Sequence, residues 1–170
     1  MHGVLALMRR QLDRIEACES PDLAVLTDAL RYMRMFPGKV HHPLEELLFE
    51  RLQALDPSLR SDIARLREQH KEIYQLERWL LEAAVAASRQ GPAAYPFLLE
   101  FGQRYLFTQQ QHSECEEKLI FPRALGRLRA EDWRYLIGAA LNPADPLFGK
   151  QATDRFRSIR AKMAQADAGA

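Results

Sequence analysis

The sequence predicts an all-α protein: a bundle of four long helices followed by one or two shorter helices. Apolar residues recur at spacings of three and four along most of the chain, which is the period of an amphipathic helix. No run of alternating apolar and polar residues indicates a strand. Turn signals containing proline separate the helical stretches, and they lie at Ser20-Pro21-Asp22, Asp56-Pro57-Ser58 and Gly91-Pro92.

The first two helices can be placed from the apolar pattern and from the prolines that interrupt it. The first is expected over residues 3–18, and the second begins at Pro21 or at the residue after it. Pro37 and Pro43 interrupt the second helix, because a proline ring clashes with the carbonyl group four residues earlier and donates no hydrogen bond. We therefore expect one kinked helix, or two collinear pieces, ending near Leu55.

The third and fourth helices and a C-terminal extension complete the chain. The third helix is expected to run to about Arg89, and the fourth over roughly 93–120 with a stop or kink at Phe121-Pro122. A shorter helix should begin near Ala130, and a last one should cover about 152–164. These expectations divide the chain into two parts, a metal-binding bundle over 1–128 and a helical extension packed on it over 129–170.

Composition and charge exclude several classes of function. The chain has 170 residues, 47% of them hydrophobic and 28% charged, as in an ordinary globular domain. The net charge of +1 gives no reason to expect a nucleic-acid partner or a charged membrane surface. Cys18 and Cys115 make no disulfide framework, and Arg9 and Arg10 interrupt the start too early for a signal peptide. We expect a cytoplasmic protein that contacts neither nucleic acid nor membrane.

Helical phase turns several histidines and glutamates toward the interior. His70 takes the next place on the apolar stripe of the third helix. His112 and Glu116 lie one turn apart on the inward face of the fourth helix. His41 and Glu45 repeat that spacing on the second helix, which therefore presents a second inward His-x-x-x-Glu pair. Three of the four long helices thus carry polar ligand types into the core.

The two inward glutamates are the main physical reason to expect metal. A buried carboxylate is costly unless its charge is compensated, and Glu45 and Glu116 would repel each other and take up protons. Cations between them remove both problems. Imidazole and carboxylate donors without a thiolate set favour iron, manganese or zinc over calcium or magnesium. The candidate ligands are too many for one tetrahedral zinc ion. Their number suits two octahedral ions held between facing helices.

Three segments resemble the hemerythrin-like HHE cation-binding family. The match on the second helix is FPGKVHHPLEELLFERLQALDP, residues 36–57. The matches on the third and fourth helices are EQHKEIYQLERWL, residues 68–80, and HSECEEKLIFPRAL, residues 112–125. The resemblance covers about residues 1–150. It implies an up-down four-helix bundle that holds two non-haem iron ions with an oxo or hydroxo bridge, in preference to manganese or zinc.

The resemblance also implies a set of metal ligands. By position these are His2, His41, His42, Glu45, His70, His112 and Glu116. Glu45 and Glu116 would bridge the two ions, and His42 is an additional candidate. Oxygen-carrying hemerythrins have a second histidine one turn after the third-helix ligand, and Tyr74 occupies that place here. The resemblance therefore does not extend to reversible oxygen carriage, and Tyr74 is expected to be a pocket residue beside the metal.

Three function classes follow from these patterns. The first is a di-iron protein that binds or senses oxygen, nitric oxide or peroxide, or that handles iron. The second is a regulatory or interaction bundle, in which metal changes the contact with a protein partner or a second copy without redox chemistry. The third is a metal-free bundle whose buried histidines respond to pH. No separate acid–base or nucleophile set indicates an enzyme, so no catalytic residue is assigned. Glu46 is expected to be solvated or to orient a histidine.

Overall fold

The computed structural model describes residues 2–139, which form helices joined by short turns and contain no strand. The α-helices are α1 (His2–Glu16), α2 (Leu23–Met35), α3 (His42–Leu55), α4 (Arg60–Gln90), α5 (Tyr95–Cys115), α6 (Phe121–Arg127) and α7 (Ala130–Ala139). The all-α prediction is confirmed. The helix expected over 152–164 lies outside the described residues.

The helices form four columns, consisting of α1, of α2 continued by α3, of α4, and of α5 continued by α6. Column α1 packs against α2 and α5, and α4 packs against the same two, which closes the ring of an up-down bundle. Helix α7 packs against α3. The predicted bundle with an additional C-terminal helix is therefore confirmed. Within residues 2–139 no helix combines the length and apolar character needed to cross a membrane.

The turn signals in the sequence end and begin the helices as predicted. The carboxylate of Asp22 accepts a hydrogen bond from the backbone N–H of Val25 at 3.1 Å and caps α2. The carboxylate of Asp56 accepts from the backbone N–H of Ser58 at 3.3 Å and caps the short turn before α4. Gly91, with φ of 63°, ends α4 in a left-handed conformation that favours glycine.

Two π-helical turns lie within the second and fourth columns, at Pro37–His41 and Glu116–Ile120. Each precedes a proline in the first turn of the next helix, Pro43 in α3 and Pro122 in α6. A proline ring clashes with the carbonyl group four residues earlier and donates no hydrogen bond to it. The wider π-helical turn makes room for the proline. The predicted interruptions are therefore confirmed as wide turns, except that Pro43 makes no separate break because α3 runs unbroken after it.

The interior consists of two apolar cores with a polar layer between them. One core lies among α1, α2 and the later parts of α4, and it contains Leu26 and Ile73. The other lies among α3, α6 and the start of α4, and it contains Phe49 and Leu66. Along α4 the change from one core to the other occurs at His70, which is itself buried. The fold thus places the inward histidines in one layer across the bundle.

Candidate metal centre

Six of the seven residues expected to bind metal lie together in this polar layer. His70 of α4 and His112 of α5 meet across the bundle with their Nε2 atoms 3.2 Å apart. The Nε2 of His70 is also 3.4 Å from Oε2 of Glu45, and the Nε2 of His112 is 3.4 Å from Oε1 of Glu116. Imidazole and carboxylate donors from three columns therefore converge on a common centre.

The donors form two groups that share Glu45. The group that we call the buried group consists of His42, Glu45, His70 and His112. The group that we call the open group consists of His41, Glu45 and Glu116. Within each group one ligand atom per residue lies within 4.8 Å of all the others. One oxygen of Glu45 faces His70, and the other is 2.6 Å from the Nε2 of His41. Glu45 thus offers one oxygen to each group.

Both wide turns adjoin this centre. The first π-helical turn ends at His41, and the second begins at Glu116. A π-helical turn contains more residues than an α-helical turn and so changes which side chains face inward after it, and such turns are frequent at functional sites. This local geometry lets the successive residues His41 and His42 both reach donors of the centre, although they lie about 100° apart on a regular helix.

The buried glutamates have opposite protonation tendencies. Burial works against ionisation of Glu45, but the close imidazoles of His41 and His70 hold its pKa below the ordinary value. Burial, reinforced by the charge of Glu45, raises the pKa of Glu116 to about 9. Neither oxygen of Glu45 nor Oε1 of Glu116 has a well-aligned hydrogen bond within the described stretch. A cation between the two carboxylates would take the place of the proton on Glu116 and satisfy these oxygens.

Two imidazoles of the buried group, those of His42 and His112, are held in the neutral form. Burial, with the neighbouring His70, lowers the pKa of His42 to about 3. Burial and the same neighbour lower the pKa of His112 to about 4. A histidine must be neutral to coordinate a metal ion. Both side chains are therefore ready to act as ligands at neutral pH.

The ring of His70 is oriented from outside the centre by a charged pair. Its Nδ1 is 3.1 Å from Oε1 of Glu46, and the other oxygen of Glu46 accepts from Nε of Arg67 at 2.7 Å. The carboxylate of Glu46, which is paired with Arg67, can accept the Nδ1–H of His70. This arrangement directs the lone pair of Nε2 toward the centre, as in carboxylate–histidine–metal sites. Of the two roles expected for Glu46, the contact supports the orienting one.

Tyr74 plays the same part for His42. The hydroxyl of Tyr74 donates to the carbonyl of Gly38 at 2.6 Å, so its oxygen can accept the Nδ1–H of His42 at 3.3 Å. The ring of His42 stacks on that of His70 with centroids 4.2 Å apart. Tyr74 thus borders the centre, on the side of the Nδ1 atom of His42, and leaves Nε2 for a cation.

One of the ligands expected from the sequence, His2, lies outside both groups. The side chain of His2 is 81% exposed, and its Nε2 is 4.0 Å from Oε1 of Glu117, an exposed residue of the second π-helical turn. The geometry therefore gives no support to His2 as a ligand, which stays a prediction. Cys115 is half-buried, and its sulfur accepts from Arg65 at 3.2 Å. Its thiol belongs to neither donor group.

Two polar residues near the centre were not identified from the sequence. Arg67 anchors Glu46, and Gln109 is buried in α5 with only 1% of its surface exposed. Each precedes a central histidine, His70 or His112, by three residues. Residues three apart on a helix are neighbours, so this spacing is the signal that would have found them.

An apolar groove of about 210 Å³ borders the open group. It is lined by Leu44, Leu48, Trp133, Leu136 and Ile137, together with His41 and Glu45. The side chain of His41 is 40% exposed, in contrast to the histidines of the buried group. A small uncharged molecule could therefore reach the open group through this groove.

Comparison with known proteins agrees with this geometry. The model of the hemerythrin HHE cation binding domain matches residues 2–124. The search of curated proteins and the search of solved structures give no match. The matched segment contains both groups of donors and all four columns of the bundle. The buried histidine–glutamate layer is the candidate metal-binding site of the bundle, and the chain belongs to the hemerythrin HHE cation-binding domain family.

Proposed function

We propose that this chain is a non-haem di-iron protein that binds a small redox ligand such as oxygen, nitric oxide or peroxide beside the open group. The observation that carries the proposal is the position of Glu45, which is shared between a group of four donors and a group of three. A shared carboxylate is the expected device for holding two cations close together inside a helical bundle.

The donor types favour iron. Both groups offer nitrogen and oxygen atoms and no thiolate, which suits iron better than a structural zinc site. Glu116 gives up its proton when a cation arrives, since its raised pKa comes from burial and from the nearby charge of Glu45. Manganese or zinc in the same two positions would use the same residues. Metal analysis of the purified protein distinguishes these metals from iron.

The open group supports binding of an additional small ligand. It supplies three protein donors against four in the buried group, so a six-coordinate ion there has more positions left for other molecules. The leucines and Trp133 of the adjoining groove exclude charged solutes and admit small uncharged ones. Bound iron would supply the redox chemistry, while the side chains hold it, orient the imidazoles and limit access of water.

Metal analysis and visible spectroscopy of protein purified from iron-replete cells test this proposal. We expect about two iron ions per chain and a visible spectrum that changes on addition of nitric oxide. His112→Ala should weaken loading of the buried group, and Glu116→Ala should weaken loading of the open group. The matched control Glu117→Ala removes a neighbouring exposed carboxylate and should load normally. Protein that contains no metal, or a single zinc ion, would contradict the proposal.

One observation favours a second candidate, a metal-responsive regulatory bundle without redox chemistry. Tyr135 and Ile137 on α7 are large apolar side chains that are exposed, and Ile137 also lines the groove beside His41. Metal binding at the open group could therefore alter a surface that contacts a partner. Hydrogen exchange of α7 with and without metal tests this: slower exchange on loading, with no response to nitric oxide, would favour the regulatory function.

A further inference from the structure

The three imidazoles of the buried group differ in what their Nδ1 atoms contact. When the Nε2 of a histidine faces a cation, its Nδ1–H needs an acceptor to fix the ring and its tautomer. His70 has Glu46 in this position, and His42 has Tyr74. His112 is 1% exposed, and its Nδ1 has no hydrogen-bond partner within residues 2–139. A buried donor left in this state is unfavourable.

Gln109 offers the complementary atom. Its Nε2 donates to the hydroxyl of Tyr105 at 3.0 Å, which leaves Oε1 as the unused acceptor. That Oε1 is buried and also has no partner in the described stretch. Gln109 precedes His112 by three residues on α5, and helical side chains lean toward the N-terminal turn. The side chain of His112 is thus inclined toward the turn that contains Gln109.

Resting on the proposed metal function, we propose that Gln109 is a positioning residue of the centre. Its side-chain carbonyl accepts the Nδ1–H of His112, directly or through one bridging water, and so directs the Nε2 lone pair toward the cation. In the structure the amide nitrogen donates to Tyr105, and the amide oxygen is therefore the end left for His112. The three histidines of the buried group would then each have an orienting acceptor, a carboxylate, a phenol or an amide.

Ser113 is the competing candidate on the same helix. Its Oγ is also buried without a partner in the part of the chain described. It follows His112 by one residue, however, and so projects about 100° away around the helix axis. Replacing Gln109 and Ser113 separately therefore distinguishes the two.

The first readout uses metal-free protein and reports the tautomer of His112. Imidazole ¹⁵N chemical shifts at pH 7 should show the Nδ1–H form of His112 in the wild type and in Gln109→Glu, which keeps an acceptor; the hydrogen bond between the facing Nε2 atoms is then donated by His70. Gln109→Met, similar in size but without an acceptor, should show a mixture of tautomers. The control Gln110→Met removes an amide from the exposed side of α5 and should leave the tautomer unchanged. An unchanged tautomer in Gln109→Met, or a change only in Ser113→Ala, would overturn the proposal.

The second readout is affinity for ferrous iron and for zinc. Loss of an orienting partner typically weakens metal binding about 10- to 100-fold. We expect a decrease in affinity of this size for Gln109→Met. Gln109→Glu should restore the affinity, and Gln110→Met should bind as tightly as the wild type. Should the methionine variant fail to fold, Gln109→Asn, which shortens the amide beyond reach, gives the same reading. Wild-type protein that binds no metal would refute the proposed function while the tautomer result still decides the role of Gln109. Equal affinity in all variants would refute the positioning role alone.

Discussion

The buried and open groups share Glu45 but differ in almost every other respect. The buried group has three imidazoles, all buried, and two of them are held from outside by Glu46 and Tyr74. The open group has one half-exposed imidazole, His41, and lies beside an apolar groove. A cation in the buried group would meet a rigid and nearly complete donor set. A cation in the open group would keep positions for other ligands.

The two groups also differ in charge. The buried group contains three imidazoles and one carboxylate, whereas the open group contains two carboxylates, one of which, Glu116, is protonated at neutral pH. Binding a cation to the open group therefore displaces the proton of Glu116. The comparison teaches that one layer of the bundle can provide a holding position and a reactive position, separated by a single shared carboxylate.

The largest expected effect comes from removing the shared carboxylate. Glu45→Gln keeps the size of the side chain but removes the charge that both groups use. Since ligand loss leaves each cation with fewer donors and less negative charge, we expect loss of both metal equivalents. Calorimetric titration with ferrous iron measures this. The matched control is Glu50→Gln, at an exposed site on the same helix. If Glu45→Gln still bound either metal ion, the two groups would not both depend on Glu45.

Removing one histidine at a time should separate the two positions. His41→Ala should lose the cation of the open group and retain the other, so about one metal ion per chain should remain. His42→Ala should instead weaken the cation of the buried group, because that group loses one of its four donors. Metal analysis after dialysis at a fixed free-iron concentration distinguishes the variants. Identical losses in both would show that the two positions are not independent.

The proton on Glu116 predicts how stability of metal-free protein depends on pH. The pKa of Glu116 is raised from 4.5 to about 9 by burial, so its unfolded form ionises first and stability falls as pH rises between these values. Burial also raises the pKa of Glu77 to about 7, which adds to the fall below pH 7. Between pH 7 and 9 we expect a loss of about 1 kcal/mol per pH unit.

The opposite sign holds on the acid side. The pKa values of His42 and His112 are lowered from 6.5 to about 3 and about 4. Their contribution is complete above pH 6.5 and is lost as pH falls toward the folded values. Between pH 4.5 and 6.5 the histidine contributions offset those of Glu116 and Glu77, so the acid limb appears below pH 4.5. Urea unfolding from about pH 3 to about pH 9 measures both limbs. Metal loading or Glu116→Gln should flatten the alkaline limb, Glu117→Gln should not, and an alkaline slope in loaded protein would count against the assignment.

The smallest expected effect concerns the phenol that holds His42. Tyr74→Phe removes the hydrogen bond to the carbonyl of Gly38 and the acceptor for the Nδ1–H of His42. We expect a loss of about 1 kcal/mol of stability in metal-free protein and about a 10-fold weaker buried position. Thermal unfolding and iron titration measure the two effects. Tyr135→Phe, an exposed tyrosine on α7, is the control, and unchanged affinity would remove Tyr74 from the centre.

The fold and most of the centre could be predicted from the sequence because both depend on helical period. The phase of the apolar stripes placed His70, His112 and Glu116 in the core, where the structure has them. The period alone could not show that wide turns precede Pro43 and Pro122, since these turns result from backbone clashes that apolar patterns do not record.

Contacts between helices were harder to predict. The pairing of Arg67 with Glu46 joins two columns, and nothing in the pattern of either helix says which residue of the other lies opposite. The sequence resemblance placed His2 among the ligands, but the first turn of α1 leaves it exposed. Residues at helix ends have few packed neighbours to fix them. The helical period therefore predicts the direction of their side chains less well than it does in the middle of a helix.

Titration of metal-free protein with ferrous iron under anaerobic conditions, monitored by calorimetry in buffers of different ionisation enthalpy, tests the central claim most directly. We predict two binding events per chain, with one proton released by the event that fills the open group at pH 7, because Glu116 is then protonated. A single event, or two events that release no proton and persist in Glu45→Gln, would contradict a two-cation centre built around that carboxylate.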